Sequence, residues 1–146
     1  MMDANSNALR VPATSPAIAA LSPFVVADTE TFKLPARGGL PPRALRRVRE
    51  YVQAHLEEKI SLQTLATMVG LSNSYFCRAF KQSTGLTPHQ FLLRCRVRRV
   101  QELIATTELP LIRIALAAGF ADQGHCSRRF HQLVGVTPSR YRWLTR

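Results

Sequence analysis

Two stretches of this chain repeat one plan about fifty residues apart, and no other feature limits the fold as much. Leu65-Ala66 and Gly70-Leu71 return 49 residues later as Ile114-Ala115 and Gly119-Phe120. Arg78, Phe80, Gln82, Gly85, Thr87 and Pro88 return 50 residues later as Arg128, Phe130, Gln132, Gly135, Thr137 and Pro138. The one-residue slip falls at the start of each second helix, where an insertion is tolerated. Each copy reads as helix, glycine turn, helix. Small Ala66 or Ala115 lets the two helices cross closely, and Gly70 or Gly119 supplies a backbone angle that side chains resist. Leu71 or Phe120 tucks beneath the turn. Phe76 and Phe80, or Cys126 and Phe130, line the inner face of the second helix. This is a helix-turn-helix unit, whose second helix enters the DNA major groove. One such hairpin is a weak signal; two in phase are a strong one.

The chain is predicted to be all-α, with about seven helices forming two helix-turn-helix subdomains joined by a long connecting helix, preceded by a largely unstructured N-terminal tail. Leu45, Val48, Val52 and Leu56 recur at the spacing of one buried helix face after Pro42. Ser61 caps a helix over 62–69 that Gly70 ends, and Ser72 caps one over 73–83 that Gly85 ends. Thr87-Pro88-His89-Gln90 is a capping box that opens the connecting helix, 88–106. A helix over 111–118 follows Pro110, Asp122 caps one over 123–133, and Thr137-Pro138 opens a last short one. Phe76, Phe80, Phe91, Phe120, Phe130 and Trp143 are expected in the core. The first helix-turn-helix thus covers about 62–83 and the second about 111–133, within a domain of residues 42–146.

Residues 1–41 read differently. They hold five of the nine prolines among Ala, Ser, Thr and Asn, and are predicted to be a largely unstructured tail or linker. Phe24-Val25-Val26 has the makings of one short strand, with no second strand to join.

Charge sharpens the division. The chain carries a formal +11, yet residues 1–42 hold three basic and three acidic side chains. Residues 43–146 hold 17 basic and 6 acidic ones, so the attraction to a polyanion belongs to the repeat-bearing segment alone. Three widely spaced cysteines form no C-x-x-C pair, and no His lies with them at zinc-ligand spacing, so no metal or cofactor is expected. No apolar run approaches the ~18 residues of a membrane span, and a reducing cytoplasm fits the cysteine usage. No Ser/His/Asp set, phosphate-cradling glycine loop or paired carboxylate is visible, which argues against an enzyme.

At these residues the chain resembles the AraC/XylS family of bacterial transcription regulators. The second unit carries the stronger signature: Ile114 to Asp122, then Ser127-Arg128-Arg129-Phe130, then Gly135-Val136-Thr137-Pro138-Ser139-Arg140-Tyr141-Arg142. The likeness covers about 43–143. Three positions depart from the family's usual residues: Gly124 for Ser, Cys126 for a larger core residue, and Val100 for Ala. The resemblance implies that bases are met from the outward face of each second helix. Those faces offer Asn73, Ser74, Cys77 and Arg78 in the first unit. They offer Gln123, Gly124, His125, Ser127 and Arg128 in the second. Arg can fork onto guanine and Gln onto adenine, each good pair giving ~1–3 kcal/mol of discrimination. Lys81, Arg94, Arg96, Arg98, Arg140 and Arg142, with Arg99, are the candidates for phosphate contact, which positions without specifying sequence.

The connecting helix would span ~28 Å, against ~34 Å between successive major grooves, so one chain is expected to reach two grooves. The implied partners are double-stranded promoter DNA and RNA polymerase, with the chain a monomer or weak dimer in the bacterial nucleoid. Family members are more often activators than repressors. Many carry a sensor domain ahead of the DNA-binding one, and residues 1–41 are too few and too proline-rich to form it. The alternatives are a non-specific basic nucleic-acid binder and a truncated regulator lacking its sensor. With no apolar pocket recognisable in the pattern, no small-molecule ligand is expected within 42–146, and none of the sequence points to a membrane.

Overall fold

The computed structural model describes residues 38–146, and among these it contains seven helices and no strand. They are α1 (Pro42–Ala54), α2 (Leu62–Met68), α3 (Asn73–Thr84), α4 (Pro88–Thr106), α5 (Leu111–Ala117), α6 (Gln123–Val134) and α7 (Pro138–Leu144). The expected tail lies outside the described residues except for its last four positions, as does the candidate strand at Phe24-Val25-Val26.

The caps that the sequence proposes set the helix starts. Ser61 Oγ accepts the Thr64 N–H at 3.0 Å, Ser72 Oγ the Tyr75 N–H at 3.2 Å, and Asp122 Oδ1 the His125 N–H at 2.7 Å. Thr87 Oγ1 accepts the Gln90 N–H at 3.1 Å while Gln90 Oε1 accepts the Thr87 N–H at 3.0 Å, a reciprocal capping box. In each turn the glycine is left-handed, φ 74° at Gly70 and 96° at Gly119. That angle lets the next N–H fold back: Leu71 donates to the Ala66 carbonyl at 2.9 Å, and Phe120 to Ala115 at 3.0 Å.

The described chain divides into two compact units, 38–95 and 96–146, and α4 contributes its N-terminal part to one and its C-terminal part to the other. In the first, α1 presents Leu45, Val48 and Val52 to a core built with Leu65 and Ala66 of α2, Phe76, Ala79 and Phe80 of α3, and Phe91, Leu92 and Cys95 of α4. Leu56 joins this core from the turn after α1. Leu40, which the sequence reading leaves in the tail, is buried there, and its N–H donates to Ser83 Oγ at 2.7 Å. The core of this unit therefore includes a residue that precedes Pro42.

The second unit buries Val97, Val100 and Ile104 of α4, Ile114 and Ala115 of α5, Cys126, Phe130 and Val134 of α6, and Tyr141 of α7. The repeat also extends further than the sequence pattern suggested. Phe80 meets Phe91 edge to face at 5.5 Å, and fifty residues on Phe130 meets Tyr141 at 5.4 Å. The C-terminus of α4, where the last carbonyls have no helical partner, is closed by Arg146. Its Nη2 donates to the carbonyls of Ile104 at 2.8 Å and Thr107 at 3.0 Å, and its Nη1 pairs with Glu108.

One core assignment is corrected. Trp143 is 67% exposed. On α7 the inward positions are Pro138 and Tyr141, three apart, and Trp143 lies two residues past Tyr141, about 200° round the helix. Its ring is covered instead by the Arg140 guanidinium, 4.8 Å from the ring centroid.

Candidate nucleic-acid interface

The apolar spacing of α3 and α6 decides which side chains face out. On α3, Phe76, Ala79, Phe80, Ser83 and Thr84 are buried, which leaves Ser74 and Arg78 exposed on the opposite face, Asn73 exposed at the first helical position and Cys77 half-buried. On α6, Cys126, Phe130 and Val134 are buried, which leaves Gln123, Gly124 and Arg128 exposed, with His125 and Ser127 half-buried. Ser74 and Arg78, four apart, thus share the outward face of α3, as Gly124 and Arg128 do on α6, whereas Asn73 and Gln123 are exposed as the first residue of each helix, seven residues before Phe80 and Phe130.

Two ring contacts shape these faces. The Arg78 guanidinium lies over the Tyr75 ring, 5.9 Å from its centroid. Tyr75 is exposed, and the sequence reading did not include it; the fifty-residue offset pairs it with His125, which was the available signal. His125 packs edge to face against Phe120 at 5.5 Å, so this side chain also braces the turn below it. Gly124 leaves open the space that a side chain would fill. A Cβ there would stand 3.3 Å from Asp122 Oδ1 and 3.5 Å from an Arg128 guanidinium nitrogen. The tight neighbour is the capping carboxylate of Asp122, and the distance to Arg128 is an ordinary contact.

The phosphate candidates occupy differing surroundings. Lys81 is exposed in the last turn of α3. Arg98 and Arg99 are exposed on α4 and share Glu102, at 3.3 and 3.8 Å. Such surface pairs are worth ~1 kcal/mol or less, and a phosphate can displace them. Arg94 and Arg96 are half-buried and engaged with other groups of the protein. Arg140 is stacked on Trp143. Arg142 is committed to the fold: Nη2 donates to the Leu109 carbonyl at 2.6 Å, while its Nε is buried without a partner.

The three thiols differ in the same graded way. Cys95 and Cys126 are buried and Cys77 is partly exposed. Burial pushes the Cys126 thiol up to about 11. Burial also raises the Tyr141 hydroxyl above its usual value, against a smaller opposing effect of its hydrogen bond with Gln101. No group of three His, Cys, Asp or Glu side chains gathers at metal-holding distance among the described residues, and no helix among them is long and apolar enough to cross a membrane.

Known proteins share this arrangement. A family described as a helix-turn-helix domain matches residues 65–143. A probable transcriptional regulator, LumQ of Photobacterium leiognathi, is 37% identical over 99 residues, which is 68% of this chain and 40% of that protein. The chain therefore corresponds to well under half of that relative's length. Among solved structures, an AraC-type transcriptional regulator from Chromobacterium violaceum superposes with a TM-score of 0.67 at 29% identity, covering 70% of this chain and 92% of that one. The DNA-binding domain of AdpA, a global transcriptional factor solved in complex with a target DNA, superposes with a TM-score of 0.65 at 30% identity, covering 67% and 88%.

Proposed function

The chain belongs to the AraC/XylS family of helix-turn-helix transcription regulators, and from that premise we propose that it regulates transcription by binding a specific site in duplex promoter DNA. The observation that carries this reading is the pair of exposed polar faces, Asn73, Ser74 and Arg78 on α3 and Gln123, Arg128 and their neighbours on α6, each on the second helix of its unit. Arg78 and Arg128 supply the forked donors that guanine O6 and N7 accept, and Gln123 the amide that matches adenine. Lys81, Arg98, Arg99 and Arg140 supply sequence-independent attraction to phosphate. The two helices read adjacent major grooves of one site, and α6, with more hydrogen-bonding side chains, reads the sharper half.

Activation rather than repression is the family's commoner mode, and contact with RNA polymerase goes with it. On α5, Ile112 and Leu116 stand one turn apart and exposed, an apolar pair of the kind that a protein partner covers. The site of action is the cytoplasm, on the nucleoid, as a monomer or weak dimer.

Selection from a random duplex library, followed by titration of the winner and of random DNA at about 150 mM salt, tests the reading. A motif spanning two major grooves, bound ~10³-fold or more above random DNA, is the expected result. Binding that depends only on DNA length and salt would make the chain a charge-driven nucleic-acid binder instead. The symmetry of the motif reports whether one chain or two occupy it.

A further inference from the structure

The first unit contains a cavity that the residue pattern did not reveal. It has a volume of about 160 Å³ and lies between α2, α3 and the start of α4. Its walls are Ile60, Leu62, Leu65 and Leu92, and Cys77, Thr87 and His89 stand among them. An apolar cavity of ~150 Å³ is large enough to hold a benzene ring. Beside it lies a broader, open basin that shares Cys77 and Thr87 with the cavity and adds Arg78, Lys81 and Gln82. An apolar hole thus opens beside a set of cationic and amide donors.

The repeat supplies an internal control. Fifty residues after Leu92 stands Arg142, and 49 residues after Ile60 stands Leu109. In the second unit these two are joined, Arg142 Nη2 donating to the Leu109 carbonyl at 2.6 Å. The place of Leu92 is there taken by a guanidinium reaching across to the segment before α5. Its Nε is buried without a partner, an unsatisfied donor that the first unit lacks at this place. The first unit has Leu92 at this place, a wall of the cavity.

We propose that this cavity is a binding site for a small organic anion, an aryl or short branched-alkyl carboxylate. The apolar part enters between Leu62, Leu65 and Leu92, and the carboxylate lies in the basin against Arg78 and Lys81. Removal of the ring or alkyl group from water drives entry, and charge-assisted hydrogen bonds at the mouth select an anion over a neutral isostere. Arg78 and Lys81 are also the side chains that the proposed function directs to DNA. An occupied cavity therefore competes with DNA for the first recognition helix. Binding stands on the cavity alone; only this competition rests on the DNA-binding reading.

The test uses benzoate as the probe, benzamide as its neutral match, and Cys77 as the reporter. Cys77 lines both the cavity and the basin, and it is the one partly exposed thiol of the three. Carboxamidomethylation of Cys77 by iodoacetamide, followed by mass spectrometry on the full chain, should slow saturably with benzoate, in proportion to occupancy. Benzamide should protect more weakly. Leu92→Arg, which copies the second unit, and Ile60→Phe, at a half-buried wall position, should each abolish protection; Ile60→Phe carries the test if Leu92→Arg melts. No protection at about 10 mM benzoate, a concentration that detects even millimolar affinity, overturns the site. So does protection that persists in both filled variants. Equal protection by benzamide overturns the anionic specificity. Benzoate should also weaken binding to the selected DNA site in the wild type and not in the filled variants. Cys77 protection without that effect would leave the cavity standing and remove its competition with DNA.

Discussion

The two helix-turn-helix copies agree in their interiors and part company at their rims. In both, a phenylalanine of the unit's second helix meets a ring of the following helix edge to face, Phe80 with Phe91 and Phe130 with Tyr141. Both cross at a buried alanine and turn at a left-handed glycine. Around that shared interior the polar fittings change. Gln90 completes a reciprocal capping box in the first copy, where the second has Arg140, whose N–H still uses Thr137 but whose guanidinium lies on Trp143. Gln63 and Thr67 in the first copy stand where exposed Ile112 and Leu116 stand in the second. Leu92 lines a cavity in the first copy, and at the matching place Arg142 reaches the Leu109 carbonyl in the second. The apolar and glycine positions define the unit, and the rim is where the two copies differ in chemistry.

The sameness of the interiors can be broken most severely at the matched phenylalanines. Phe80 and Phe130 are both fully buried. Phe80→Ala and Phe130→Ala should each cost ~3–5 kcal/mol of unfolding free energy. Denaturant titration followed by circular dichroism checks this. A cost below ~1 kcal/mol for either would mean that its copy relaxes around the gap and the equivalence of the cores is only geometrical.

The recognition faces should separate the copies at the next level. Arg128→Ala should weaken binding to the selected DNA by ~1–3 kcal/mol and relax discrimination at one base position. Arg78→Ala should cost less, because Arg78 is already engaged with Tyr75 and its neighbours Ser74 and Cys77 are short. Titration of both variants against the selected site and its single-base changes measures the difference. Equal losses at the two arginines would remove the proposed sharper reading by α6.

Much of this fold is legible in the chain itself. Side-chain caps at Ser61, Ser72, Thr87, Asp122 and Thr137 depend on local backbone geometry, and each stands where its residue type and the following helix predict. Inward positions follow from period 3.6 on the longer helices. Trp143 escaped that logic because α7 has only seven residues, too few for the period to choose a face, and large aromatic side chains are usually assigned inward. The Phe130–Tyr141 pair was within reach, since extending the fifty-residue offset past Pro138 aligns Tyr141 with Phe91. The cavity was not within reach. A void is set by how side chains from α2, α3 and α4 fail to meet, and nothing in the spacing along one helix reports that. Tyr75 was legible only through its alignment with His125, because its own type and position read equally well as part of a hydrophobic face.

The cores also differ in one titratable group, which gives a pH-dependent contrast. Phe76 in the first copy corresponds to Cys126 in the second, whose thiol burial holds at about 11 against an ordinary value of 9.0. Below pH 9 the thiol is neutral in both the folded and unfolded chain. Between about 9 and 11 the unfolded chain releases a proton that the folded one retains, so stability falls as pH rises. The loss attributable to Cys126 should approach roughly 3 kcal/mol once both states are ionised, and about 2 kcal/mol by pH 10.5, with Tyr141 adding in the same direction. Cys126→Val should flatten the decline between pH 8.5 and 10.5 in urea titrations, by roughly the Cys126 share. A decline unchanged in that variant would assign the alkaline weakness elsewhere.

The smallest expected change comes from giving the second copy the first copy's rim. Arg142→Leu removes the hydrogen bond to the Leu109 carbonyl, which lies at the exposed edge of α5 and can turn to water. It also removes a guanidinium Nε that is buried without a partner. Losing a charged hydrogen bond costs ~1.5–3 kcal/mol where its partner stays buried, and less where water replaces it, while relieving an unsatisfied buried donor returns part of that. The two effects should nearly cancel, leaving a net change of ~1 kcal/mol or less in urea titrations. A loss several times larger would make Arg142 a clamp that the second unit requires, and the two rims would then differ in stability rather than in what they leave open. A small loss accompanied by new binding of benzoate to the second unit, seen as shifts of the Leu111 and Ile114 amide resonances, would show that one residue decides whether a copy of this fold holds a cavity.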